Sequence, residues 1–285
     1  MTILVTGANG QLGNELKQIA KANKTFEFVF HDIDTLDLTD HQSVAKAIKT
    51  IEPAFIVNCA AYTAVDKAEE EKDLAYLLNC EVTARLGELA KEHNSRLIHV
   101  STDYVFDGKA HKPYNEECQT NPQSVYGASK LKGEQALFET DAVIVRTSWL
   151  YSSFGNNFVK TMLRLGKERD TLKVIFDQVG TPTYAADLAS CIYKIIETSH
   201  TGQAVPAGVY HYANEGACSW YDFATEIMQQ ANLKCKVLPI ETFEYPLPAP
   251  RPHYSILNKK KIKETLKIEI PHWKESLTKC LPLIK

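Results

Sequence analysis

The sequence predicts an α/β protein built on a doubly wound parallel sheet, with a smaller α/β cap for the substrate. Three observations carry this. Strand and helix patterns alternate through the first half, a glycine-rich turn separates the first strand from the first helix, and the regularity loosens after Tyr151. Alternation of this kind places helices on both faces of a parallel sheet, and the right-handed crossover rule makes that sheet doubly wound.

Thr2–Thr6 is a β-branched apolar run ending at Gly7, and Leu12, Leu16, Ile19 and Ala20 repeat at helical spacing after it. Phe26–Phe30 reads as the second strand and Ser43–Ile51 as a helix stopped by Pro53. Phe55–Ala61 is the third strand, Leu74–Glu92 one long helix, Arg96–Val105 the fourth strand, Ser124–Phe138 a helix and Ala142–Leu150 the fifth strand. Beyond it, helices are expected at Phe158–Glu168, Ala185–Thr198 and Trp220–Ala231, with strands at Lys173–Phe176, Val209–Ala213 and Lys236–Ile240. The prolines at 246, 248, 250 and 252 predict an extended, ordered connection, and Lys259–Lys261 a solvated basic helix face. The division that results is a dinucleotide-binding domain over residues 1–150 and a cap over 151–285, with segments around 172–200 returning to the main sheet.

Composition excludes several function classes. The chain has 285 residues, 32 Lys and Arg against 35 Asp and Glu, and a formal charge of −3, without the basic excess of a nucleic-acid-binding domain. An apolar fraction of 44% excludes disorder. No secretory signal and no apolar run near the ~18 residues of a membrane span are visible, so a cytoplasmic location is expected. The seven cysteines are scattered with no C-x-x-C pair, which predicts reduced thiols and no metal site.

Gly7-Ala8-Asn9-Gly10-Gln11-Leu12-Gly13 is a G-x-x-G-x-x-G loop between a strand and a helix. Its glycines let the backbone approach a pyrophosphate, and the helix N-terminus behind them favours an anion. This is the signature of a Rossmann-like dinucleotide site. Asp32, after the second strand, would bond the adenosine ribose and leans to NADH, while Asp37 and Leu38 are placed to frame the adenine. No arginine precedes Arg85, and the residues alone leave the choice of NADH or NADPH open.

Tyr126 and Lys130 stand four residues apart in a helix, on one face. An ammonium beside the phenol would lower its pKa and make it a usable proton donor. Thr102 lies at the carboxyl end of the fourth strand, where open α/β sheets bind ligands. Several residues also admit plain structural readings. Trp149 suits a core position, His99 a packed histidine, Asn79 a backbone-satisfying role and Arg251 the surface.

Hydroxyl, tyrosine, lysine and glycine loop in this order resemble the extended short-chain dehydrogenases/reductases. Within that class the segments Asn58–Glu69, Ser101–Phe106, Arg146–Trp149, Gly155–Phe158, Asp177–Thr183 and Arg251-Pro252 resemble the dTDP-4-dehydrorhamnose reductase family over almost the whole chain. Cys59 stands where that family often has alanine.

The resemblance implies that Gly7, Gly10, Gln11, Leu12 and Gly13 hold the pyrophosphate. Asp32, Asp37, Leu38, Ala60, Ala61 and Tyr62 would line the rest of the cofactor, which it makes NADPH, with NADH also accepted. Thr102, Tyr126 and Lys130 would be catalytic, with Lys130 also bonding the nicotinamide ribose, and Thr102, Asp103, Tyr104, Trp149, Asn157 and Arg251 would contact the substrate. The implied reaction is reduction of the C4 ketone of dTDP-4-dehydro-β-L-rhamnose, the last step of dTDP-L-rhamnose synthesis for cell-surface polysaccharide. No nucleic-acid or membrane partner is expected; the one macromolecular partner allowed for is a second copy, as a homodimer. A nucleotide-sugar dehydratase is excluded because Tyr104, not glutamate, follows Asp103. The alternative is a non-catalytic regulatory subunit resembling the β subunit of methionine adenosyltransferase.

Overall fold

A computed structural model describes residues 1–203 and 205–284. The first half runs β1 (Thr2–Thr6), α1 (Gln11–Ala22), β2 (Glu27–His31), α2 (His41–Ile51), β3 (Phe55–Asn58), α3 (Lys72–Tyr76), α4 (Val82–Glu92), β4 (Arg96–Thr102), α5 (Val125–Ala136) and β5 (Val143–Thr147). The second half runs β6 (Leu150–Tyr151), α6 (Phe158–Glu168), β7 (Thr171–Ile175), β8 (Val179–Gly180), β9 (Thr183–Tyr184), α7 (Ala185–His200), β10 (Gly208–His211), β11 (Cys218–Ser219), α8 (Trp220–Gln230), β12 (Lys236–Ile240), α9 (Lys260–Leu266) and α10 (Trp273–Cys280).

The main sheet has six strands in the order β10-β5-β4-β3-β1-β2, and every pairing in it is parallel. Strand order reverses between β1 and β3, which opens a crevice at their carboxyl ends. Side chains alternate between two layers, as a sheet covered on both faces requires. Ile3, Val5, Phe55, Val57, Val143 and Val145 pack with Leu12, Leu16 and Ile192 of α1 and α7. Leu4, Ile56, Leu97 and Ile144 pack on the other face with Val44 and Ile48 of α2 and Leu86 and Leu89 of α4. A separate core, centred on Tyr151, Phe223, Met162, Trp273 and Leu277, gathers α6, α8 and α10 over β7 and β12.

The sequence expectations need correction in four places. The segment Leu74–Glu92 is not one regular helix: a π-helical turn at Leu77–Glu81 separates α3 from α4. That turn swings Asn79 inward, where its amide bonds the Tyr62 backbone at both N–H and C=O and donates to Ser129 Oγ. The fourth strand stops at Thr102, whose hydroxyl accepts from the Tyr104 N–H and starts a 3-10 turn at Asp103–Val105. The return to the main sheet, expected for residues around 172–200, is made instead by β10, while β7 pairs with β12 in a sheet of its own. α7, within that stretch, packs against α1 rather than entering the sheet. Lys259 is not solvated: it is buried against Glu215, with its amine 3.3 Å from the carboxylate.

One buried ion pair fastens α5 to β5. Arg146 and Glu134 are almost fully shielded, 2.6 Å apart, with two guanidinium nitrogens on the carboxylate and the guanidinium over the Phe106 ring. Removing one partner strands the other charge in the interior. Glu134→Ala is therefore expected to lower unfolding free energy by about 3–5 kcal/mol, read from urea denaturation; a loss below about 1 kcal/mol, the size of a surface pair, would contradict this account.

Candidate active site

The glycine turn is built for close approach. Gly7 has φ +66, and a Cβ there would lie 2.6 Å from the Ala60 nitrogen. A Cβ on Gly13 would lie 2.4 Å from the Gly7 carbonyl oxygen, so α1 can sit against the turn only with glycine at that position. Gly10 occupies the cap position before α1, so no side chain caps the first turn and its N–H groups are left to face the crevice. Asp32 is tied into the turn, accepting from the N–H of Asn9 at 2.7 Å and of Ile33 at 2.8 Å.

A cavity of about 760 Å³ runs from this turn to the ends of β4 and β5. It brings together Gly7, Gly10, Gln11, Leu12, Gly13, Asp32, Asp37, Leu38, Ala60 and Ala61 at one end, and Thr102, Asp103, Tyr104, Tyr126, Lys130 and Trp149 at the other. The Tyr104 and Tyr126 rings meet edge to face at 5.4 Å. The Thr102 hydroxyl donates to Asp103 Oδ1 at 3.0 Å. Burial pushes the Asp103 carboxyl up to about 6, against the nearby hydroxyls of Ser255 and Thr102. Its Oδ2 is buried with no well-aligned partner among the described residues.

Two electrostatic details differ from the sequence reading. The Lys130 amine donates to the Val100 carbonyl at 2.7 Å and stands 3.2 Å from His99 Nε2. Burial lowers its pKa to about 8, while the same burial raises the Tyr126 phenol to about 12.

Three expected site residues stand elsewhere. Tyr62 lies outside the cavity lining and its hydroxyl donates to Glu71. Asn157 caps α6, and its amide nitrogen donates to Gln11 Oε1 and the Ser152 carbonyl. Arg251 lines a smaller neighbouring hollow of about 220 Å³ and pairs with Asp66 at 2.7 Å. Asp66 Oδ1 also accepts from the Ala249 N–H, so one carboxylate fastens the proline-rich strap. Sequence reasoning missed Trp220, which lines the cavity and stacks on Trp149 at 3.5 Å and 6°. Trp149 itself adopts φ +48, and its ring covers Gly180, where a Cβ would lie 2.6 Å from it. The one signal for Trp220 was a tryptophan opening a helix.

A parallel sheet with its crevice at the β1/β3 reversal, a glycine turn, and a threonine, tyrosine and lysine in one cavity define a protein of the extended short-chain dehydrogenase/reductase class. The chain belongs, more narrowly, to the RmlD substrate binding domain family, which it matches over residues 1–285. It is 43% identical over 284 residues to the dTDP-4-dehydrorhamnose reductase of Aggregatibacter actinomycetemcomitans, covering 96% of each chain. The crystal structure of a dTDP-4-dehydrorhamnose reductase from Clostridium acetobutylicum superposes with a TM-score of 0.94 at 44% identity, over 99% of both chains. That of Bacillus anthracis, solved in complex with NADP, gives 0.92 at 41% identity over 99% of this chain and 98% of the other.

Gly13→Ala tests the fit of the turn. Because the new methyl would meet the backbone of Gly7 and Ala8, NADPH affinity is expected to fall at least ~10-fold, about 1.4 kcal/mol, with the far-ultraviolet circular dichroism unchanged. Wild-type affinity in a fluorescence titration would show that the turn does not approach the dinucleotide.

Proposed function

We propose that the protein reduces the C4 ketone of dTDP-4-dehydro-β-L-rhamnose to the alcohol of dTDP-L-rhamnose, with NADPH as reductant. The observation that carries this is the single cavity that holds both a dinucleotide-fitting glycine turn and Thr102, Tyr126 and Lys130, in a chain of this family. When bound, NADPH supplies the hydride.

The residues of the chain do the rest. The glycine turn and the uncapped start of α1 hold the pyrophosphate, and Asp37 and Leu38 flank the adenine. Tyr126 donates its phenolic proton to the oxygen on which charge develops, and the Thr102 hydroxyl turns from Asp103 to donate to the same oxygen. Asp103 Oδ2, buried and short of a partner, is suited to accept from a sugar hydroxyl. The stacked Trp149 and Trp220 form an apolar wall for the sugar ring, and Tyr104 closes the other side. Arg251 reaches the substrate only by leaving Asp66, so its proposed contact with the diphosphate requires the strap to rearrange.

The proposal extends to a cytoplasmic enzyme that works as a homodimer without a nucleic-acid partner. Among the described residues, no helix is long and apolar enough to cross a membrane. The regulatory-subunit alternative gains nothing from the relatives described above, which are named as reductases.

Tyr126→Phe removes the proton donor and leaves the ring in place. NADPH binding is expected to stay at the wild-type level while kcat falls by about 10²–10⁴-fold, followed as NADPH oxidation with the keto sugar. Near wild-type turnover would remove Tyr126 from the reaction.

A further inference from the structure

At the carboxyl edge of the main sheet, on the face covered by α5, three polar residues stand side by side in register. Thr6 on β1 is paired with Asn58 on β3, and Asn58 with His99 on β4. All three are at most 1% exposed. Their hydrogen bonds form one chain. The Thr6 hydroxyl donates to Asn58 Oδ1 at 2.8 Å, the Asn58 amide nitrogen lies 3.1 Å from His99 Nδ1, and His99 Nε2 lies 3.2 Å from the Lys130 amine.

The direction of each bond follows from one group that can only donate. The Ala60 N–H points at Asn58 Oδ1, 3.2 Å away, which identifies that atom as the oxygen. The other amide atom is then NH2 and donates to His99 Nδ1, which must carry a lone pair. A neutral imidazole has one proton, so it sits on Nε2 and faces Lys130. A protonated ring would set N–H against N–H at Asn58, and burial together with Lys130 holds the His99 pKa well below its usual value. His99 is thus a fixed donor, and an ammonium at Lys130 would meet it donor to donor. Only the uncharged amine can accept from Nε2–H while still donating to the Val100 carbonyl.

We propose that His99 is a positioning residue that sets the proton affinity of Lys130: its Nε2–H, locked by Asn58, favours the neutral amine. The consequence rests on the reductase reading above. After Tyr126 gives its proton to the substrate oxygen, the phenolate must regain one. Below its pKa Lys130 is the ammonium: it passes a proton to the phenolate, is left as the amine that accepts from His99, and is recharged by a proton from bulk solvent. The other groups facing Lys130 are Cys59 after β3, whose thiol burial raises to about 12 and so leaves uncharged, and Tyr126 and Glu134 on its own helix. Glu134 pulls the lysine towards the ammonium but is itself bound to Arg146; burial opposes it, and the His99 Nε2–H, 3.2 Å from the amine, is the hydrogen-bonding group that acts with burial.

The sign of the pH effect follows. As pH rises through the Lys130 pKa, the lysine no longer carries a proton to return, and kcat falls along an alkaline limb. His99→Phe removes the donor that favours the amine. Asn58→Asp turns the chain round: the carboxylate accepts from Nδ1–H, and Nε2 becomes an acceptor for the ammonium. Both variants are expected to move the alkaline limb upward by about one pH unit, whereas a packing role alone would lower kcat without moving it. The direct test needs no substrate. Nitrogen-15 NMR of histidine-labelled wild-type protein at pH 7 should show His99 protonated at Nε2 and bare at Nδ1, and Asn58→Asp should show the reverse. A His99 ring protonated at Nδ1 or at both nitrogens in the wild type overturns the proposal, as does an alkaline limb that stays in place in both variants. The NMR result stands whatever the enzyme reduces.

Discussion

The site depends on a buried lysine amine and what it takes to keep it there. Lys130 is 1% exposed, and an ammonium moved so far from water costs several kcal/mol unless the protein replaces its hydration. β4 supplies an acceptor in the Val100 carbonyl, His99 beside it favours loss of the charge, and α5 holds the stem of the side chain by being packed closely. Gly127 and Gly133 face backbone on the neighbouring elements, where a Cβ would lie 2.2 Å from the Tyr104 carbonyl oxygen and 2.1 Å from that of Asn79. The π-helical turn that carries Asn79 therefore serves the same contact. It lets α5 settle on the sheet at the height that puts Tyr126 over the end of β4. Glu134 and Arg146 fasten the far end of the helix to β5.

From this anchor the rest of the cavity follows. The reversal of strand order between β1 and β3 would give the dinucleotide a place beside the lysine, and the glycine turn would let it come close. The second core then sets the opposite wall. Trp149 leaves β5 in a left-handed backbone conformation that lays its ring on Gly180, and Trp220 stacks on it from the start of α8. The keto sugar would lie between a wall fixed by aromatic packing and an edge fixed by hydrogen bonds. A chain with near-zero net charge can bind two phosphorylated ligands in this way, because the anions meet local N–H groups and a few cations rather than a basic surface.

Much of this was legible in the residues because it rests on local periodicity. The alternation of β1, seen in Ile3 and Val5 against Leu4, states which face of the sheet each residue occupies. The strand–glycine turn–helix order locates the dinucleotide site, and the spacing of Tyr126 and Lys130 places them on one helix face. What stayed hidden depends on partners far away in sequence. Asn157 reads as a ligand contact until Gln11, 146 residues earlier, is seen to take its amide. Arg251 is pinned by Asp66, 185 residues earlier, and Lys259 by Glu215. The π-helical turn has no pattern of its own, since tertiary bonds to Tyr62 and Ser129 stabilise it. β8, β9 and β11 span two residues each, too short to show alternation. His99 reads as a packed histidine in the sequence; its register with Thr6 and Asn58 is what reveals a directed chain to Lys130.

The central claim, that this cavity carries hydride to the C4 ketone of the sugar nucleotide, is tested most directly by the fate of the hydrogen. The protein should be incubated with NADPH deuterated at both C4 positions of the nicotinamide and with dTDP-4-dehydro-β-L-rhamnose, and the product examined by mass spectrometry and NMR. The account predicts one deuterium per molecule of dTDP-L-rhamnose, at C4 of the sugar, with one equivalent of NADP formed. Bound cofactor that stays reduced in the presence of the keto sugar, or a product with no deuterium at C4, would contradict it.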